Sequence, residues 1–177
     1  MILSTLLYKL FVFHIFYIIL ITKNEISDKM KIAIVSGNDE GPTKLNAFDN
    51  ALYAAGIGDV NLIKVSSMLE ANTEIIPIQK LKAGSMVNCV LSEVTSDNPG
   101  DEIIATIAIA IGENLGCVVE ASGINEDKEE IIKRAEFMVK YMMEKRGEEI
   151  KELIVEQSTH TVETIGSAIA SVVYLDY

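Results

Sequence analysis

The chain has 177 residues, enough for one domain with a real core. Apolar residues are 49% and charged residues 23%, an ordinary balance for a globular protein. The net charge of −11 argues against nucleic acid, whose phosphates an acidic surface repels, and leans weakly toward a cationic substrate.

Leu10 to Ile21 is almost wholly apolar. With Ile2 to Tyr8 it approaches a membrane span, broken by Lys9 and His14. Its unbroken part falls short of the roughly 20 residues a span needs. A signal sequence would be followed by small residues, whereas Lys23 to Lys29 is polar and bulky. The favoured reading is an over-extended start, with residues 1–29 an apolar extension and the domain opening at Met30. A membrane anchor is the alternative. Without residues 1–29 there remain 12 basic (15 − 3) and 24 acidic (26 − 2) residues, net −12.

Lys31 to Val35 reads as a strand, and Gly37 to Pro42 as a loop. The loop lacks Gly-x-Gly-x-x-Gly spacing and a Gly-Lys-Ser/Thr ending, and Asp39 and Glu40 would repel phosphate, so it is no phosphate loop. Asn46 to Ala55 reads as a helix, with Asn46 as N-cap and Gly56 as stop. Phe48, Leu52 and Ala55 form its buried stripe, with Asp49 at the edge. Val60 to Val65 is the next strand. Pro77 marks Ile75 to Ile78 as an edge. Ser85 to Val94, Ile103 to Ile111 and Gly116 to Glu120 read as strands. Asp127 to Arg146 is the long helix, opened by a capping box of Asp127 and Glu130 and closed by Gly147. Its inward face carries Ile131, Ala135, Met138 and Met142. Ile150 to Glu156 and Ser167 to Leu175 end the fold.

Most connections between strands are too short for repeated parallel crossovers. The expected fold is therefore one α/β (α+β) domain, a layered sandwich with a mainly antiparallel sheet and helices on its outer faces. Cys89 and Cys117 lie in apolar stretches and are expected to be reduced and buried. His14 and His160 cannot assemble the usual zinc site, and no metal is expected.

A Ser-Ser dipeptide is common by chance. Here Ser66-Ser67 ends the run Asn61-Leu62-Ile63-Lys64-Val65. Upstream lie Leu45-Asn46-Ala47-Phe48-Asp49 and Ala55-Gly56-Ile57-Gly58. Downstream lie Ser96-Asp97-Asn98-Pro99-Gly100 and His160-Thr161-Val162-Glu163. Together, from about Val35 to the C-terminus, these segments resemble the archaeal pyruvoyl-dependent arginine decarboxylases.

The resemblance implies self-cleavage between Ser66 and Ser67, giving a β chain of residues 30–66 and an α chain of residues 67–177. Ser67 would become a covalent pyruvoyl group, with no pyridoxal phosphate and no metal. That ketone would form a Schiff base with arginine and take up the electrons left by CO2. Agmatine, for polyamine synthesis, would be the product. The resemblance makes Glu120 the proton donor to Cα, and apolar neighbours are expected to bury it and keep it protonated. Ala121-Ser122-Gly123 follows where the family pattern has an aromatic and a second acid. Asp49 is implied as partner of the guanidinium. Asn61 would polarise a carbonyl during cleavage, and Gly58 and Val60 would give backbone contacts to the substrate. His160 is expected to have no catalytic role. A cytoplasmic homotrimer or dimer of trimers, with sites between subunits, is also implied. Two other readings stand beside this one. The first is a pyruvoyl decarboxylase for another amino acid such as aspartate, against which Asp49 argues. The second is an uncleaved, membrane-tethered paralogue that binds a small cation.

Overall fold

Nine strands and two helices are described in a computed structural model covering residues 29–175. The Leu10–Ile21 run lies outside the described residues. The order is β1 (Lys31–Glu40), α1 (Lys44–Ala54), β2 (Asn61–Lys64), β3 (Met68–Glu70), β4 (Glu74–Ile75), β5 (Met86–Ser96), β6 (Glu102–Ile111), β7 (Leu115–Ile124), α2 (Lys128–Glu144), β8 (Glu152–Thr161) and β9 (Gly166–Tyr174). One sheet runs β2-β5-β9-β1-β4 and the other β3-β7-β6-β8. Every pairing is antiparallel except β1 with β4 and β2 with β5.

Three apolar layers hold this stack together. Ile32, Val90, Ile103, Ile107, Ile109, Val118 and Val172 fill the space between the sheets. Ala51 and Leu52 of α1, with its C-cap Ala55, cover the outer face of the first sheet, against Ala33, Cys89 and Ile169. Ile131, Ala135, Val139 and Met143 of α2 cover the second, against Ile104, Ala108 and Val119. The expected sandwich with helices outside is therefore the observed one. Cys89 and Cys117 are free and buried, and burial pushes both thiols up.

Several boundaries differ from the sequence reading. β1 continues through Gly37 to Glu40, where a loop is expected, because β9 supplies a partner for each residue from Ile32 to Glu40. Gly37 also lets α1 sit directly on the strand, since a Cβ there would lie 2.5 Å from the Ala51 carbonyl oxygen. The N-cap of α1 is Thr43, not Asn46; the Thr43 hydroxyl accepts from the Asn46 N–H at 3.2 Å. Asp127 does cap α2, accepting from Glu130 N–H at 3.0 Å, and Gly147 follows the helix at φ 67°. β8 extends to Thr161, so His160 belongs to a strand.

Candidate active site

β2 is an edge of the first sheet and β3 an edge of the second. Val65-Ser66-Ser67 joins them, so the serine pair makes the crossing between sheets. Four hydrogen bonds fix this crossing. Val65 N–H donates to the Cys89 carbonyl at 3.0 Å, and Val118 N–H donates to the Ser67 carbonyl at 3.0 Å. Met68 N–H donates back to the Ser66 carbonyl, also at 3.0 Å. The Tyr174 hydroxyl donates to the Met68 carbonyl at 3.0 Å, anchoring β3 to β9. Ser66 is exposed and Ser67 half-buried.

Glu120 lies two residues beyond Val118, opposite Ile107 on β6. β7 does not end there, as expected, but runs on to Ile124. Nor do apolar neighbours bury Glu120, which is exposed in the single chain. Two facts explain this. Val119 and Ala121 point to the α2 side of the sheet, and a strand residue shares no face with its immediate neighbours. In addition, β3 covers the β7 edge only from Leu115 to Cys117. Glu120 lines a cleft of about 240 Å³ with Lys64, Leu91, Ser92, Glu93, Ala121 and Ser122. Lys64 Nζ meets Glu93 Oε1 at 3.3 Å in this cleft. The Ser92 hydroxyl donates to the Ala121 carbonyl at 2.7 Å and accepts from Thr106 N–H at 3.3 Å, tying the sheets together beside it.

The other predicted residues lie elsewhere in the chain. Asp49 is exposed on α1, in the outer layer. Gly58 closes onto the end of that helix, where a Cβ would lie 2.8 Å from the Tyr53 Cα. Val60 packs with Phe48 and Leu62 under α1. Asn61 stands at the far end of β2, its amide donating to the Gly84 carbonyl at 2.9 Å. Five residues of extended chain, roughly 16 Å, separate it from Ser66. A single chain thus brings Ser66, Ser67 and Glu120 to neighbouring edges, and Asp49, Gly58 and Val60 to the α1 layer. It does not bring Asn61 to the Ser66 carbonyl.

His160 has a structural partner. Its Nε2 meets Glu40 Oε1 at 2.6 Å, joining β8 to β1. Glu40 also accepts from the N–H groups of Glu163, Thr164 and Ile165 and from the Thr164 hydroxyl, at 2.8–2.9 Å. Burial alone would raise the Glu40 carboxyl, but the Glu163 N–H, the His160 ring and the two Thr164 donors hold it at about 2. The segment Ser96 to Gly100 is the β5–β6 turn, with Gly100 at φ 91°. Among the described residues, no group of three His, Cys, Asp or Glu is placed to hold a metal ion. No described helix is long and apolar enough to cross a membrane.

Sequence reasoning missed Lys64, Glu93 and the backbone donors of Met68 and Val118. The ion pair leaves no register signal, because β2 sets Lys64 opposite Cys89 and Glu93 lies four residues further along β5. The donors carry no signal, since almost every residue has an N–H.

Comparison with known proteins adds the lineage. Residues 31–177 match the family model described as pyruvoyl-dependent arginine decarboxylase. A protein of that name from Methanothermobacter thermautotrophicus is 59% identical over 147 residues, covering 83% of this chain and 97% of the relative. One from Methanocaldococcus jannaschii is 40% identical over 143 residues, covering 79% and 86%. One from Pyrococcus furiosus is 36% identical over 156 residues, covering 83% and 96%. A solved pyruvoyl-dependent histidine decarboxylase at pH 8 is 20% identical, with a TM-score of 0.44 over 55% of this chain and 54% of that one. By its match over residues 31–177 and its identity to these relatives, the chain belongs to the pyruvoyl-dependent arginine decarboxylase family.

Proposed function

We propose that the chain cuts itself between Ser66 and Ser67 and then decarboxylates L-arginine to agmatine and CO2. The observation that carries this reading is the serine pair at the sheet-to-sheet crossing, with its residue-67 carbonyl held by the strand that bears Glu120. These residues suit a keto group at position 67. The pyruvoyl group would supply a covalently attached electron sink through Schiff-base chemistry with the substrate amine.

The chain's own residues do the rest. Val118 N–H fixes the carbonyl beside the reacting carbon. Glu120 delivers the proton to Cα, a contribution of roughly 10²–10⁴-fold for a positioned acid. Asp49 accepts two parallel hydrogen bonds from the guanidinium fork, which selects arginine over an anionic substrate such as aspartate. Gly58 and Val60 present backbone to the ligand at the end of α1. Asp49 and Glu120 lie in different layers of one chain, so a second copy completes each site. The family resemblance implies a homotrimer or dimer of trimers, in the cytoplasm by our reading, with Asn61 acting from the α1 side of the shared site. Residues 30–66 and 67–177 are the two chains of the working enzyme.

Denaturing mass spectrometry of purified protein tests the first step. Two fragments meeting at Ser66–Ser67, the larger blocked to N-terminal sequencing, are expected. An intact chain after long incubation refutes the reading. Released CO2 across a panel of amino acids tests the substrate; arginine should stand alone, and equal release from aspartate overturns the assignment.

A further inference from the structure

The segment Ser66-Ser67-Met68 turns back on itself. The Met68 N–H reaches the Ser66 carbonyl at 3.0 Å, a three-residue γ-turn centred on Ser67. Asn72 and Asn125 are the only described non-glycine residues with positive φ, so the turn is of the inverse kind. Antiparallel partners alternate between hydrogen-bonded and non-bonded pairs. The Val118 N–H bond to Ser67 makes that pair a bonded one, so Met68 opposite Cys117 is non-bonded and its N–H points away from β7. This donor is therefore not part of the sheet ladder. It serves the Ser66 carbonyl.

We propose that the Met68 N–H is the oxyanion donor for the scission. The inference rests on the self-cleavage reading. In that step the Ser67 Oγ bonds to the Ser66 carbonyl carbon, and the carbonyl oxygen gains negative charge. The Ser66–Ser67 C–N bond then breaks. The hydroxyl proton passes to the departing nitrogen, leaving an ester and a free amine. Loss of the Ser67 Cα proton and cleavage of its Cβ–O bond free the Ser66 carboxylate and leave dehydroalanine. Its enamine tautomerises, takes up one water and releases ammonia, which gives the ketone with no oxidant or reductant. The charge in the first step develops on the atom that Met68 N–H already touches. A donor fixed on that oxygen before reaction is within reach of the oxyanion that forms from it. The Asn61 amide, expected to play this part, is engaged on Gly84 in the same chain. Val118 holds the other side of Ser67, so the turn is set before reaction begins.

The test removes this one hydrogen. Met68→Pro deletes the N–H without costing a ladder bond. Replacing residue 68 with the α-hydroxy-acid analogue of methionine, by nonsense suppression in the full chain, swaps N–H for oxygen and keeps the side chain. Fragment formation is followed by denaturing mass spectrometry, and folding by cooperative thermal unfolding. Loss of one oxyanion donor typically costs about 10²–10³ in rate, so both variants should fold and cleave that much more slowly than the parent. An ester variant that cleaves at the parent rate overturns the proposal, whatever proline does. If Met68→Pro fails to fold, the ester variant decides alone. A parent chain that never cleaves sinks the self-cleavage reading itself, a separate and recognisable result.

Discussion

Replacing Glu40 by Gln should cost this protein about 2–3 kcal/mol and make it less dependent on pH in acid. The carboxylate gathers five donors from His160, Glu163, Thr164 and Ile165, and so joins the end of β1 to the β8–β9 turn. A glutamine keeps one acceptor oxygen. Its NH₂ would face at least one backbone N–H, each lost bond to a charged acceptor being worth about 1.5–3 kcal/mol. The acid range gives a second route to the magnitude. A carboxyl that falls from 4.5 unfolded to about 2 folded contributes about 3 kcal/mol at full strength. With 24% of the side chain exposed, solvent reduces this to about 2 kcal/mol. The sign follows from proton counting. Between pH 4.5 and 2 the unfolded chain holds a proton that the folded chain does not, so stability rises with pH. The contribution is complete above about pH 4.5 and disappears as pH falls toward 2. Thermal melts of parent and variant at one protein concentration, from pH 7 to pH 2, measure it. At pH 7 the variant should melt about 5–10 °C lower. The gap should close steadily below pH 4.5. A gap under 1 °C at pH 7, or one that stays constant down to pH 2.5, refutes the reasoning.

Glu120→Gln should cleave into two chains at the parent rate yet turn over arginine about 10²–10⁴-fold more slowly; full turnover in steady-state assays removes Glu120 from the proton-donor role. Asp49→Asn should raise the KM for arginine about 10–100-fold, the loss of a charge-assisted pair, and leave scission intact. An unchanged KM disconnects Asp49 from the guanidinium. Gly37→Ala pushes a methyl into the α1 backbone and should lower the melting temperature by several degrees, read by circular dichroism; an unchanged melt means the helix moves away freely.

The layering was legible because each element declares its buried face. Ile103 to Ala110 is apolar but for Thr106, and β6, flanked by β7 and β8 in its sheet, is buried on one face by the first sheet and on the other by α2. The stripe through Ile131 and Ala135 turned out to be completed by Val139 and Met143, with Met138 and Met142 at its margin. Gly37 to Glu40 was misread because turn-forming residues sit there. Pairing with β9, nearly 130 residues away, overrides that local preference. Glu120 was misplaced for a different reason. Apolar sequence neighbours bury a helix residue more readily than a strand residue, whose neighbours face the other way. The serine pair was legible only through its surrounding motif. The Met68 turn was not legible at all, because a hydrogen bond between two backbone groups leaves no mark on side-chain identity.

The place of the proposed cut also explains how a cleaved protein keeps its shape. Scission at Ser66–Ser67 severs a link between two edge strands, β2 of four residues and β3 of three. It breaks no ladder within either sheet. The part before the cut still holds β1 against β9 along the register from Ile32 to Glu40. It also keeps Ala51, Leu52 and Ala55 buried on the first sheet. Hydrophobic burial is indifferent to chain connectivity, so those contacts act equally between two chains as within one. What the cut does release is the single constraint tying residue 67 to β2. Its carbonyl stays on Val118 and the next carbonyl on Tyr174, so the new end remains fixed where chemistry would need it. A Ser-Ser pair in the middle of β5 or β9 would have no such freedom, since either cut there would unzip a central strand.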